Sequence, residues 1–355
     1  MTSMLEHNLR QPNRQPNRQP NRQHRLPTVE VLDTPARVLR LTHELDALSA
    51  ACDLPVTTGG AWVRASVLHT PGARCWAVAV RAEGELHAAA VLLDVADGSV
   101  NGPAGRTTVL ATGGEGHRAG LPARNAVAAG VLADVLAAEL FRRQRVRLGP
   151  LRDDEAARAL AARLGVPLVP ADPVPALLRQ GSSELKDHLS PGTRKTLRKA
   201  RNRAVTDGVT LEVRFTGQPR QIRSLVPEMV EAYRDRDHEH GLPSLLDDAA
   251  GLALWRARLD GLLDADQAEA AVLKADGRLA AYVLGLRDGD TYRVLDGRFV
   301  TAFARYAPGR LLEARVVERV LQDASFERLD WMTGVASETL IAANTVEPLV
   351  QLRLG

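Results

Sequence analysis

Residues 275–312 read ADGRLAAYVLGLRDGDTYRVLDGRFVTAFARYAPGRLL, and the punctuation of this stretch decides the fold. Asp276-Gly277 and Asp288-Gly289 each separate runs of alternating apolar residues. Asp-Gly between such runs is the strongest short-range hairpin signal a sequence carries. The stretch therefore predicts a strand ending near Ala275, a second over Leu279–Leu286 and a third over Thr291–Asp296. Past Tyr306-Ala307, the triplet Pro308-Gly309-Arg310 opens an amphipathic helix to about Asp323, and Arg328–Met332 reads as another strand. A helix between strands implies a parallel pair added to an antiparallel meander. Ligands in open α/β sheets gather where strand ends face helix N-termini, so the same stretch is the predicted ligand site.

Working outward, 355 residues point to two compact domains plus a tail. Hydrophobic residues make up 45% and charged residues 25%, as in ordinary globular proteins, and the net charge is only +3. Two cysteines, Cys52 and Cys75, build no disulfide framework, and no His or Cys spacing fits a metal, so no metal is expected. No apolar run reaches the length of a membrane span and no signal-peptide core is present, so a cytoplasmic location without membrane contact is expected. Residues 1–28 carry the Gln-Pro-Asn-Arg repeat, which has nothing to bury and is predicted to be disordered.

The element pattern then recurs. Helix 36–52, strands 75–80, 86–95 and 109–112, helix 123–142, strand 146–148, helix 153–164 and a short strand 166–169 make a first unit over 29–178. Helices 193–204, 218–237 and 246–263, the hairpins, the Pro308 helix, strand 328–332, helix Ser337–Asn344 and strand 349–354 make a second over 179–355. The proline-bearing stretch Pro170–Gln180 is read as the linker.

Several residues carry candidate chemistry. At Pro308 no Ser, Thr, Asp or Asn precedes the helix, leaving the amides of Gly309, Arg310 and Leu311 for an anion, or for water. Asp296 shares a strand face with Tyr292 and Val294 by period-two alternation. It reads either as a buried general base or as a turn-opening residue before Gly297. His238 and His240 lie between two helices, where they contact substrate or simply form a solvated connection. Asp330 sits at a strand end, as pocket lining or strand terminator. The helix bearing Arg194, Lys195, Arg198, Lys199, Arg201 and Arg203 is the densest basic patch. It has no interleaved aromatics for stacking bases.

Four motifs resemble those of the GNAT acyltransferases in their CelD/BcsL-like, tandem branch. Leu189-Ser190-Pro191-Gly192-Thr193-Arg194 resembles the start of that catalytic domain. Gly277 to Tyr282 looks like its "g-x-l-v-A-y" strand, Ala307 to Leu312 like its "s-P-G-x-L-L" helix start, and Asp330 to Gly334 like its "D-f-x-x-G" strand end. The resemblance implies an α/β protein of two tandem GNAT-like domains, each a mixed, mostly antiparallel sheet flanked by helices. It further implies acetyl-CoA or another acyl-CoA as co-substrate, held at Pro308, Gly309, Arg310 and Leu311. An amine of a small molecule, sugar or peptide would attack the thioester directly, with Asp296 as base and His238, His240, Tyr292 and Asp330 near the acceptor. The fuller Arg/Gln-x-x-Gly-x-Gly/Ala loop signature is missing. Glu338-Thr339 stands where the family tends to carry Tyr-Lys, leaving Ser337 or water to protonate the thiolate. The first domain lacks a Pro-Gly helix start and is expected to be non-catalytic. The alternatives are a FemABX-like transferase using aminoacyl-tRNA, with the basic helix on the RNA, and a non-catalytic GNAT-fold binding protein.

Overall fold

The computed structural model describes residues 27–96, 105–114, 117–331, 333–335 and 340–355. The Gln-Pro-Asn-Arg repeat lies outside them. In chain order the elements are β1 (Thr28–Leu32), α1 (Pro35–Ala51), α2 (Gly60–His69), β2 (Arg74–Ala82), β3 (Glu85–Ala96), β4 (Arg106–Leu110), α3 (Ala126–Leu140), β5 (Arg145–Arg152), α4 (Glu155–Leu164) and β6 (Val169–Leu178). The second half continues with α5 (Pro191–Thr206), β7 (Leu211–Thr216), α6 (Pro219–Glu239), α7 (Ala249–Asp264), β8 (Ala268–Ala275), β9 (Arg278–Asp288), β10 (Thr291–Phe299), α8 (Pro308–Gln322), β11 (Arg328–Asp330) and β12 (Thr345–Leu354).

Both predicted hairpins form, the second turning at Gly289-Asp290 because Asp288 still pairs with Thr291, and at the first the reason is visible: Asp276 and Gly277 both take positive φ, 49° and 80°. A two-residue hairpin needs that conformation, and Asp and Gly tolerate it. The strands join one sheet in the order β1-β2-β3-β4-β5-β12-β6-β11-β10-β9-β8-β7. Pairing is antiparallel except for β4 with β5 and β10 with β11, where helices α3 and α8 make the crossovers. Each half is thus a mixed, mostly antiparallel sheet between helices, and the two follow each other in tandem. Val38, Leu41, Leu45 and Leu48 of α1 bury against one side of the first half, and α3 and α4 cover the other. In the second half α6 and α7 cover one side and α5 and α8 the other. Helices α2 and α7 meet where the halves adjoin, and a Cβ on Gly261 would stand 3.2 Å from that of Ala61.

The centre of the sheet departs from the sequence reading. Pro170–Gln180 is not a linker, since most of it is β6, a central strand between β12 and β11. Proline within a sheet is tolerated beside bulges. Here the register with β12 shifts between Glu347 and Leu349, opposite Asp172-Pro173. The last strand of each half has changed places: β12 lies between β5 and β6, and β6 lies between β12 and β11. The predicted helix Ser337–Asn344 is absent over 340–344, where Trp331 Nε1 instead donates to the Ala342 carbonyl at 3.0 Å. Residues 336–339, Ser337 among them, lie outside the described residues. Strand β1, within and just past the predicted tail, carried no alternation strong enough to announce it.

Candidate functional site

Strands β10 and β11 pair only from Thr291↔Arg328 to Arg293↔Asp330. Beyond that point β10 runs on to Phe299 beside β9 alone, so the sheet splits open. At the split β10 bulges: Val294 faces Gly285, the next paired residue is Asp296 with Leu284, and Leu295 is extra. An extra residue reverses the alternation that follows it. Asp296 therefore does not share a face with Tyr292 and Val294, as period-two counting implied. Tyr292 is fully buried among the residues packed under α8, edge-on to Phe326 at 5.5 Å between ring centres. Its hydroxyl occupies the space a Cβ on Gly285 would need, 2.1 Å away. Asp296 looks the other way, toward α6 and α7.

There it closes a small chamber with Leu295, Leu284 and Arg298 of the sheet, Tyr233 of α6, and Trp255, Arg258 and Leu259 of α7. Trp62 and His117 reach in from the first half. Asp296 is 6% exposed. It accepts from the Tyr282 hydroxyl at 2.7 Å and from Arg298 at 3.0 Å. Burial, and then the Asp296 charge, push the Tyr282 phenol far above the ordinary tyrosine range, so it stays a donor. The Arg298 guanidinium lies 4.3 Å over the Tyr233 ring, and Asp237 is 3.9 Å from it. Arg258 lies 4.2 Å over Trp62 and donates to Ser66 at 3.2 Å. His117 packs edge-on against Trp62 and bonds the Leu295 backbone at the bulge. Burial, then the charges of Arg258 and Arg293, bring its imidazole down to about 4, so it is neutral at pH 7.

The start of α8 lies one connection past β10. Its N-cap, Ala307, is left-handed (φ 45°) and no side chain caps the helix. The Leu311 amide is taken by the Ala307 carbonyl at 3.1 Å and its side chain is buried. Only Gly309 and Arg310 thus match the expectation of open first-turn amides. Helix α3, the counterpart in the first half, begins at Asn125, whose side chain accepts from the Ala128 amide at 2.9 Å. One helix start is closed by its own chain and the other is not. The Arg310 side chain stands 3.7 Å from Glu313, whose Oε2 is covered and lacks a hydrogen bond while the side chain as a whole is 29% exposed. Burial pushes the Glu313 carboxyl up to about 7, against the pull of Arg310.

Helix α5 packs Leu197 and Ala200 into the same core as Leu311 and Leu312, next to this helix start. Its six basic side chains are exposed. Among them Arg194 donates to the Lys186 carbonyl and Arg203 to that of Arg305. A pyrophosphate fits such a place: backbone donors, a positive helix end and a cationic neighbour.

The remaining predicted residues scatter. His238 and His240 are exposed at the end of α6, His238 2.7 Å from Asp247. Asp330 is 3% exposed in an ion network at the junction of the halves, paired with Arg293 and 3.9 Å from both Arg118 and Arg328. Burial raises its carboxyl against those arginines. Sequence reasoning missed Trp62, His117, Tyr233, Trp255, Arg258 and Arg298, and no local motif marks them. Among the described residues no group of three or more His, Cys, Asp or Glu could hold a metal, and no helix is long and apolar enough to cross a membrane.

Residues 191–338 match the family described as the acetyltransferase (GNAT) domain. No curated protein sequence matches the chain. Among solved structures, FemX superposes with a TM-score of 0.55 at 12% identity, covering 82% of this chain and 87% of its own. The C-terminal domain (DUF2156) of a putative lysylphosphatidylglycerol synthetase from Agrobacterium fabrum gives 0.53 at 13%, over 90% and 92%. A tandem GNAT protein from the clavulanic acid biosynthesis pathway gives 0.50 at 15%, over 92% and 99%. At these identities the likeness is one of fold. Residues 191–338 are thus similar to the GNAT acetyltransferase domain, and the fold of the whole is a tandem GNAT-like one.

Proposed function

We propose that the protein is an acyl-CoA-dependent N-acyltransferase of the CelD/BcsL-like branch, working through its second half and using acetyl-CoA or another acyl-CoA. The observation that carries this reading is the contrast between the two equivalent helix starts. The Asn125 side chain closes α3, whereas α8 starts without a side-chain cap beside the basic face of α5. Gly309 and Arg310 would hold the pyrophosphate, and the split between β10 and β11 would admit the thioester. The first half binds no acyl-CoA in this reading and serves the reaction by supplying Trp62 and His117 to the chamber.

In the chemistry proposed, Asp296 takes one proton from the acceptor ammonium. The freed amine lone pair attacks the thioester carbonyl, the C–N bond forms and the C–S bond breaks. The nitrogen sheds its second proton as the amide forms, and that proton passes through water or Ser337 to the leaving thiolate. Tyr282 and Arg298 fix the orientation of the Asp296 carboxylate and leave lone pairs for the incoming proton.

Calorimetric titration with acetyl-CoA and with free coenzyme A, beside Gly309→Glu, tests the reading. A Cβ at Gly309 meets only the Phe299 ring, at 3.3 Å. A carboxylate in the first turn favours the helix, so the variant should fold yet repel phosphate. Binding by the wild type and not by the variant is the expected result. Failure of the wild type to bind either ligand would discard acyl-CoA and direct the search to aminoacyl-tRNA.

A further inference from the structure

Helix α3 is apolar almost all round, yet one of its faces stays in the open. We infer that this face, with the free edge of the sheet beside it, is where a second copy of the chain docks. The two α3 helices pack antiparallel about a two-fold axis near Asp134. The inference is independent of the acyltransferase reading.

The helix reads AVAAGVLADVLAAEL, and its only charges are Asp134 and Glu139. A helix that is hydrophobic on every side belongs in an interior. Leu132, Leu136 and Leu140 meet that need by joining the core of the first half. Val127, Val131, Asp134, Ala138 and Phe141 follow one another at intervals of four and three, which places them on a single face. That face looks away from the core: Val127 is 68% exposed and Phe141, the C-cap, 59%. The apolar surface extends to the sheet. Among the described residues β1 is an outermost strand, and its Val29 and Val31 lie opposite Val80 and Val78. Directly opposed residues share a face, and Val78 and Val80 belong to the core that α3 covers. Both exposed valines therefore project on the α3 side.

Charge selects the occupant. Three arginines stand along the seam and each has a carboxylate of its own: Arg163 of α4 on Asp134, Arg142 on Glu139 and Arg124 on Glu85. A strongly charged partner or an anionic lipid surface finds no excess charge to hold. The chain's own repeat over 11–22 offers no apolar residue but proline. A surface of balanced pairs complements itself. Asp134 is midway between Val127 and Phe141, so a two-fold axis there sets Val127 against Phe141 of the second copy, and the reverse. The Arg142–Glu139 pair then faces Arg124–Glu85 of the second copy, and the helix dipoles run opposed. At the axis the two Asp134–Arg163 pairs meet, and a polar position inside an apolar seam fixes its register. From Val127 to Phe141 the seam runs about 21 Å, the scale of a weak, concentration-dependent dimer rather than an obligate one.

The full chain is followed by sedimentation velocity from about 1 µM to about 200 µM, beside Val127→Glu and Phe141→Lys. Glutamate in the first turn and lysine at the last suit the helix dipole, and both sites are exposed, so the variants should fold. The wild type should pass from monomer to dimer over this range. Each variant alone should dimerise at least about tenfold more weakly, as when a contact central to an interface is lost. Mixed one to one, the variants should pair more tightly than either does alone, because the new carboxylate of one then faces the new ammonium of the other. A wild type that stays monomeric at the highest concentration overturns the inference, and so does a monomer that instead binds phosphatidylcholine–phosphatidylglycerol vesicles. Dimerisation untouched by either variant overturns it too. A mixture no tighter than its parts overturns the antiparallel packing.

Discussion

Glu347→Gln probes the junction of the two halves. Glu347, on β12, accepts from Arg118 at 2.5 and 2.6 Å and from Arg328 at 2.7 Å, with Arg152 at 3.5 Å. Arg118 is 6% exposed and the Glu347 side chain 16%, so solvent does little to screen them. Burial alone would raise the Glu347 carboxyl, but Arg118, Arg328 and Arg152 together hold it below the ordinary range. The amide keeps the shape and one acceptor but removes the charge facing three guanidinium groups. Uncompensating a buried pair costs about 3–5 kcal/mol, and the retained acceptor puts this case near about 3 kcal/mol. With a urea m-value of about 3 kcal/mol/M, the unfolding midpoint should fall by about 1 M. The pH dependence adds a sign. An acid whose folded pKa is depressed contributes stability present above its unfolded value and lost as pH falls through the folded one. Wild type should therefore weaken as pH drops below the ordinary glutamate value of 4.5, and the variant should lack that component. A midpoint within about 0.2 M of wild type, or an unchanged acid response, would refute the argument. The pair Arg118→Met with Glu347→Leu should recover part of the loss, because the desolvation cost of those two charges is then removed.

Three further outcomes are expected. Glu313→Gln should leave stability unchanged at acid pH but raise the melting temperature above pH 7. A carboxyl raised to about 7 contributes stability below its unfolded value of 4.5 and loses it as pH rises through about 7. Equal melting curves for both proteins at alkaline pH would count against a covered Glu313 oxygen. Asp296→Asn should lower the acyl-transfer rate by about 10²–10⁴ once an acceptor is in hand, measured by thiol release, whereas an unaltered pH–rate profile would remove Asp296 as the base. Asn125→Ala should cost about 1 kcal/mol in chemical unfolding without affecting acetyl-CoA binding, and a change in that affinity would show that the first half takes part in holding the donor.

Legibility in the sequence tracked how local the causes were. The Asp276-Gly277 hairpin could be read because two adjacent residues must both accept positive φ. The α8 start could be read because Pro308 and the absence of a capping residue lie within three positions. The bulge at Leu295 could not: it comes from β10 parting from β11, which no residue near Leu295 announces. Strand β6 was concealed by Pro170, Pro173 and Pro175, whose usual meaning is overridden by pairing to two strands distant in sequence. The chamber was the least visible part. Trp62 and Asp296 are 234 positions apart in the chain, and their meeting depends on the packing of α2 against α7.

The interchange of β6 and β12 also bears on how such a protein is made and inherited. Residues 179–355 taken alone would lack the strand lying beside β11, and the preceding residues alone would lack the strand lying beside β5. Neither gene segment encodes a complete sheet. Two polypeptides cut after Leu178 should accordingly complement each other when co-expressed and fail singly. The first half is retained whatever else it does, because its partner's sheet is finished only by its last strand.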